Sequence, residues 1–370
     1  MWLVATVAGA LTVLTGVLSG DDAVAVTRRL GPVLLFLIAA TVLAELADRA
    51  GAFDLAADRA ARLARGRTPV LFALVVLLAT ATTIVLSLDT TAVLVTPVVL
   101  AMAKRLKLDP LPFAFAAVWL ANTASLLLPV SNLTNLLAIG RLGLSPAETV
   151  ARTALPSAVA VLVTVTALAL WHRRSLAGRY DVPERSRPRD PALVAVVAVV
   201  CVALVPAVLL GAPVAAVFGV GAAVVGVATL LRNRSALRLG LVPWRLVLLV
   251  EGLFLVVTAA GPHGLDHLLA TAAGDGGTAR TVATAAVGAN LANNLPAYLS
   301  LERVVPHDLL DVLVGVDLGP LILPWASLAT LLWAERCRAA GVMIPWRSFV
   351  LRGALLTPPL LLLSTLALHL

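Results

Sequence analysis

The chain has 370 residues, 60% of them hydrophobic and 13% charged, with a formal net charge of +8 and a mean hydropathy of +1.00. A soluble chain of that length cannot hide so much apolar surface in one core, so lipid is the solvent for most of it. The basic excess reads as basic cytoplasmic loops and not as a nucleic-acid partner, because neither an aromatic-rich basic face nor a zinc-ligand spacing accompanies it.

In chain order, continuous apolar runs predict crossing helices at about residues 2–19, 32–47, 113–139, 151–171, 192–210, 213–231, 246–261, 309–333 and 349–369. At roughly 1.5 Å per residue, such runs can cross a hydrocarbon layer of about 30 Å. The runs do not alternate, which argues for helices over a barrel. The first run has no Lys or Arg before it, unlike a cleaved secretory signal. Two further apolar stretches, 69–103 and 279–304, are interrupted by polar residues and prolines. Each is read as a pair of half-helices returning to its own side, with two full crossings as the alternative. The expected fold is therefore an all-α polytopic membrane protein with about nine crossing helices and two re-entrant hairpins.

Arginine placement orients this plan. With the N-terminus inside, 22 of the 28 Lys and Arg residues fall in loops 48–68, 104–110, 172–190, 232–245 and 335–352. The remaining six, Arg28, Arg29, Arg141, Arg152, Arg280 and Arg303, fall on the opposite side. The positive-inside rule then predicts a multi-pass protein of the plasma (inner) membrane with a cytoplasmic N-terminus and an external C-terminus. The Arg- and Pro-rich stretch at 173–191 reads as a cytoplasmic linker. It separates a first transmembrane repeat, 1–172, from a second, 192–370.

The two halves resemble each other. Asn122–Leu137 laid over Asp317–Leu332 gives six identities in sixteen positions, including Pro129 on Pro324, and it sets Asn122 on Asp317, Asn132 on Ser327 and Asn135 on Thr330. Each segment follows an interrupted stretch, "SLDTTAVLVTP" (87–97) in the first half and "NLANNLP" (290–296) in the second. With nine crossings between the termini, two such repeats are inverted, with their helices broken near midplane. A proline in a membrane helix frees a carbonyl, and unwound backbone at that depth persists only where it lines a cavity or is buried in protein. Half-helix ends facing one midplane cavity supply partial charges for an ion or polar solute, which is the plan of a secondary transporter.

The expected site residues follow from that plan. Asp89 is the carboxylate deepest in a polar-poor stretch and the first candidate to carry a coupling proton; the alternative is a structural carboxylate bonded to Thr90, Thr91 or a freed N–H. Asp317, next to Gly319 and Pro320, is the second candidate, against a role in capping the half-helix that follows. Ser87, Thr90, Thr91, Asn122, Thr123, Ser125, Ser131, Asn132, Asn135, Asn290, Asn293, Asn294, Ser327 and Thr330, with Thr134 beside them, are expected to contact substrate. Ser and Thr can instead bond their own i−4 carbonyls, and the amides near 290 could form a structural hairpin tip. Pro97, Pro129, Pro296, Gly319, Pro320 and Pro324 are expected to break the helices. Glu251 either acts in the site or reaches the cytoplasmic interface. His263 and His267 read as loop surface residues rather than metal ligands, and Cys201 and Cys337 as unpaired thiols. Gly219, Gly221, Ala223 and Gly226 read as helix packing. No metal set and no cofactor is expected beyond a proton or sodium ion as coupling ion. The signatures H-E-x-x-H and G-x-S-x-G are absent, which counts against an intramembrane enzyme.

"SLDTTAVLVTPVVLAMA", "ANTASLLLPVSNLTNLL", "NNLPA" and "DLGPLILPWASLATLLW" resemble the ArsB-type arsenical pump membrane proteins. These sit within the ion transporter superfamily that includes divalent-anion/sodium symporters and sodium/proton antiporters. The resemblance implies efflux of arsenite or antimonite, driven by the membrane potential and the proton gradient, sometimes with an ATPase subunit. The chain departs from the family pattern at Leu88, Asn122, Leu321 and Ala326, where Asn, Asp, a polar or basic residue and Gly are common. A sodium/proton antiporter or an organic or inorganic anion permease is the alternative on the same fold, and a structural membrane protein the alternative outside transport. The expected partners are membrane lipid and a small inorganic solute or ion. A cytoplasmic ATPase subunit and a homodimer stay open.

Overall fold

The computed structural model describes residues 2–184, 190–232, 239–274 and 277–370. Among them there is no β-strand, only an isolated bridge between Arg67 and Arg179. Among the described residues, seven helices are long and apolar enough to cross a membrane. This is a multi-pass α-helical membrane protein.

Helix α1 (Trp2–Leu14) turns at 15–19 into α2 (Gly20–Arg49), a single helix of 30 residues. The crossing expected at 32–47 is only part of α2, and Arg28 and Arg29 stand on this helix and not in a loop. The apolar window ended at these charges, but the helix did not. Ser19 caps it by accepting from the Asp22 N–H, and Asp21 and Asp22 complement the positive end of its dipole. The amphipathic α3 (Ala52–Leu63) follows, entered through Gly51 at φ +80°.

Helix α4 (Thr68–Val85) ends the first limb of the first hairpin. The return limb is helical from residue 88 to 105: α5 (Leu88–Thr90), a π-helical stretch Thr91–Val95, then α6 (Thr96–Arg105). The break expected at Pro97 thus falls ten residues earlier, at Leu86–Ser87. The π turn, in which the Thr96 N–H reaches the Thr91 carbonyl, widens the helix just before the proline ring, so the chain runs on through Pro97.

Helices α7 (Leu111–Thr123) and α8 (Leu133–Leu142) are the halves of one broken segment, with Pro129 opening a 3₁₀ turn between them. Helix α9 (Pro146–Trp171) and the short α10 (Arg173–Leu176) complete the half. The linker expected at 173–191 does not hang free over its described part. Tyr180 donates through its hydroxyl to the Ala61 carbonyl at 2.6 Å and through its N–H to Gly66. Residues 185–189 of that linker, and 233–238 of the basic loop expected at 232–245, lie outside the described residues.

The second half runs α11 (Pro191–Leu209), α12 (Val214–Arg232), α13 (Trp244–Ala260) and α14 (Asp266–Ala273). His263 and His267 are not in a loop: α13 passes through a kinked stretch, Gly261–Leu265, directly into α14. The second hairpin is α15 (Thr278–Ala292) and α16 (Asn294–Val304), broken at Asn293 with φ +89°. Pro296 does not break it. It sits in the first turn of α16, where no N–H is needed. Helices α17 (Leu309–Leu318) and α18 (Leu328–Ala339) are the second broken pair, with Gly319, Pro320 and Pro324 in the unwound link, and α19 (Trp346–Leu368) closes the chain.

Ion pairs sort the helix ends into two groups that match the two loop sets of the arginine count. Arg105 pairs with Asp58 and Arg232 with Asp190 on one side. On the other, Arg29 grips Glu302 with two bonds of 2.6 and 2.7 Å, Arg141 lies 3.9 Å from the same carboxylate, and Arg303 pairs with Asp266. No described pair joins the two groups.

Two packing devices fix the parts around the site. Gly9 and Gly252 let α1 and α13 touch backbone to backbone, with Thr6 Oγ1 donating to the Leu248 carbonyl. Gly221 likewise lets α12 rest on Val200 and Leu204 of α11. An aromatic knot of Phe115, Trp119, Trp333 and Phe349 ties α7 to α18 and α19, and Trp333 Nε1 donates to the Ala114 carbonyl. Arg352 stacks on Phe115 and Trp171 and donates to His172 Nε2 at 2.8 Å. Burial and that guanidinium hold His172 down to about 4, so its ring accepts the bond in the neutral form.

Candidate functional site

Both hairpin tips and both helix breaks meet at one cavity of about 420 Å³. Leu88 and Asp89 come from the first tip, Asn293, Asn294 and Pro296 from the second, Asn132 and Leu133 from the first break, and Ser327 and Leu328 from the second. The helical limbs that begin at Leu88, Leu133, Asn294 and Leu328 therefore all start at the wall of the same space. Four helix N-termini face it together, and the positive ends of their dipoles with them. At α16 the first N–H groups are already taken, Asn294 by the Ala326 carbonyl and Leu295 by the Asn293 side chain, and Pro296 has none. The described lining contains no Lys or Arg and one carboxylate, Asp89.

The caps that make these starts differ. Ser87 accepts from the Thr90 N–H at 3.1 Å. Asn132 accepts from Thr134 N, and Asn293 from Leu295 N, both at 3.4 Å. Ser327 caps nothing with its side chain, and its hydroxyl is buried without a partner among the described residues.

Asp89 makes no hydrogen bond among the described residues, so it is not the structural carboxylate tied to Thr90 or Thr91. Those two hydroxyls have other partners: Thr90 Oγ1 meets Ser87 Oγ at 2.9 Å, and Thr91 Oγ1 meets Thr83 Oγ1 at 2.8 Å. A second, narrower cavity of about 100 Å³ shares Leu88, Asp89, Leu133 and Leu246 with the first and reaches Thr41 and Glu45 of α2. Asp89 stands at the junction. Sequence reasoning missed Glu45, because a carboxylate four residues before Arg49 looks like an interfacial one.

Asp317 is fully buried behind the cavity wall. Its Oδ1 accepts from Asn132 Nδ2 at 2.9 Å and from Thr134 Oγ1 at 2.7 Å, and its Oδ2 has no partner. It does not cap the half-helix that follows it. It reaches across to the break in the other half. The positions matched to these in the sequence do not repeat the bond: Asn122 Oδ1 and Ser327 Oγ are both buried and unpaired. Thr123 Oγ1, Asn135 Oδ1 and Thr330 Oγ1 are unpaired too. Of these, Ser327 belongs to the lining of the cavity.

Other expected residues serve the frame instead. Asn290 bonds the Ala286 and Gly319 carbonyls and accepts from Leu323 N, which staples α15 to the unwound link and keeps its side chain off the cavity. Ser131 donates to the Ile84 carbonyl and Ser125 to that of Asn122, while the Asn135 amide bonds the carbonyls of Ser125 and Leu128. Glu251 does not reach the interface. It accepts from Thr27 of α2 at 2.6 Å, and its second oxygen is buried and unpaired. The Arg29–Glu302–Arg141 cluster was also beyond sequence reasoning, since its members lie 112 or more residues apart in the chain.

The profile of the citrate transporter family (CitMHS) matches residues 1–330. An arsenical pump membrane protein of Escherichia coli (strain K12) is 31% identical over an alignment spanning 99% of this chain and 92% of that protein. One of Yersinia enterocolitica is likewise 31% identical with the same coverage. In three dimensions the chain is similar to the Alcanivorax borkumensis YdaH transporter, whose crystal structure is described as having an unusual topology. The TM-score is 0.59 at 16% identity, with 95% of this chain and 89% of that chain covered. That last likeness is one of fold.

Proposed function

The chain belongs to the citrate transporter family and is related along its length to arsenical pump membrane proteins, and on that premise we propose that it is a proton-coupled secondary transporter expelling arsenite or antimonite. The observation that carries this reading is Asp89, a carboxylate without a hydrogen-bond partner, at a cavity where four helix N-termini meet. A group that binds and releases a proton must stay free of permanent partners and in reach of both the solute and a water path. That Asp89 borders two cavities supports this role. Asp317 takes the second place, holding the Asn132 break in a geometry that depends on its charge.

The solute fits the lining. Trivalent arsenic or antimony in neutral water is chiefly an uncharged trihydroxide, which needs donors and acceptors without a cationic clamp. Helix N–H groups, Asn132, Asn294 and Asp89 supply those. The reading includes two repeats of opposite orientation, 1–172 and 192–370, with the linker, the basic loops and the N-terminus in the cytoplasm. The matching order of hairpin, broken helix and closing helix in each half supports it.

A second reading, an anion permease, is favoured by the four helix N-termini alone. Asp89 and the lack of Lys or Arg weigh against a multiply charged anion. Uptake of arsenite, antimonite and citrate into everted vesicles, with and without an imposed proton gradient, separates the two. Gradient-dependent arsenite uptake supports efflux. Citrate uptake without arsenite uptake overturns it.

A further inference from the structure

We propose that the cavity accepts organic derivatives of the trivalent hydroxide, uncharged acids bearing two hydroxyls and one alkyl or aryl group, in preference to the bare trihydroxide. The proposal rests on the transport reading and names the substrate class of the same site.

The cavity has two unlike faces. One is the polar set of tips and breaks already described. The other is built by α1 and α13, which contribute Val4, Ala5 and Ala8, and Leu249, Leu253 and Val256, to the lining. This second face carries no side chain that can hydrogen-bond. It is a fixed wall, because α1 and α13 are locked together by the Gly9–Gly252 approach and the Thr6–Leu248 bond.

Size points the same way. An apolar cavity of roughly 150 Å³ is enough to bind benzene, and the cavity measures about 420 Å³. A trihydroxide alone would occupy the polar face and leave the apolar face without a solute contact. A solute with an apolar substituent places its hydroxyls on Asn132, Asn294 and the helix N–H groups, and its substituent on the leucine and valine wall. The substituent then leaves water for an apolar surface, which is the favourable direction. Neither Cys201 nor Cys337 lines the cavity, so recognition there does not depend on a thiolate bond to the metalloid.

The test uses everted vesicles containing the full-length protein and follows gradient-driven arsenite uptake in the presence of phenylarsonous acid, the phenyl dihydroxide of trivalent arsenic. The expected result is competition at a concentration roughly tenfold or more below the arsenite KM, the factor expected for burying one ring face. Phenylarsonate, which carries the same ring on a charged pentavalent head, should not compete. Filling the apolar face with Ala8→Phe should shift the preference by about tenfold toward bare arsenite. Arsenite uptake with no competition by phenylarsonous acid overturns this proposal and leaves the transport reading standing. Equal competition by phenylarsonate overturns it as well, because the ring alone would then be recognised. Absence of arsenite uptake altogether overturns both.

Discussion

The two hairpin tips reach the same cavity by the same device and bring opposite chemistry to it. The first tip turns at Ser87, caps its return limb with a hydroxyl, and leaves Asp89 unbonded. The second turns at Asn293 in a left-handed conformation and bonds its amide to the Trp325 carbonyl, with the Asn294 N–H on the Ala326 carbonyl. The first tip therefore carries an acid without a hydrogen bond among the described residues on a turn held by hydroxyls, and the second carries amides fastened to the neighbouring break. The broken helices reverse the assignment. The acid of the second, Asp317, is the fastened one, and Asn122 at the matching place in the first has its carbonyl oxygen unpaired. Similar backbone breaks thus need not carry similar chemistry: of Asp89 and Asp317, only Asp317 is hydrogen-bonded among the described residues.

That contrast can be broken at its strongest point first. Asp89→Asn keeps the shape of the tip and removes its charge, so gradient-driven arsenite uptake should fall by about 100-fold or more while protein in the membrane is unchanged. Normal uptake by this variant removes Asp89 from coupling. Asp317→Asn should cost uptake by about tenfold and also lower the thermal midpoint in detergent, because it weakens the bonds to Asn132 and Thr134. A loss of uptake with no change in the midpoint would make Asp317 a second free acid and erase the difference between the halves.

Smaller effects come from the frames of the tips. Asn290→Ala removes three hydrogen bonds of the second hairpin and should destabilise by roughly 2–3 kcal/mol, read from thermal unfolding, with surviving protein transporting at near its normal KM. A raised KM at unchanged stability would put Asn290 back on the substrate. Ser87→Ala removes the cap of the first tip and should cost about 1 kcal/mol. The matching change, Asn293→Ala, should cost more, since it loses both a cap and the Trp325 bond. Equal costs would mean that the two tips are held alike.

The residues that were legible from sequence are those whose type is expensive where it stands. Asp89, Asn132, Asn293, Asn294 and Ser327 were singled out because a polar group in an apolar run demands an explanation, and all five line the cavity. Proline was a poorer guide. Pro129, Pro320 and Pro324 lie at the breaks, whereas Pro97 is carried through a continuous helical limb by the π turn before it and Pro296 sits in a first turn. A proline tells where a helix has no donor, and a helix start needs none. Glu251 and Asn290 found partners that their sequence neighbourhood does not show: Thr27 on α2 bonds one Glu251 oxygen, and the link at 319–323 bonds the Asn290 amide.

The sequence by itself determined that this is a helical membrane protein, that its helix ends fall into a basic and a less basic set, and that both halves carry an interrupted hairpin followed by a broken helix. These are local matters, decided by the cost of polar atoms in hydrocarbon along a single run of chain. Only the tertiary structure decided that four helix starts converge on one space, that Asp317 is tied across the halves while Asp89 is free, and that one face of the cavity is apolar. Those properties arise between segments far apart in the chain, where close packing and hydrogen-bond geometry assign each buried group its partner or leave it without one.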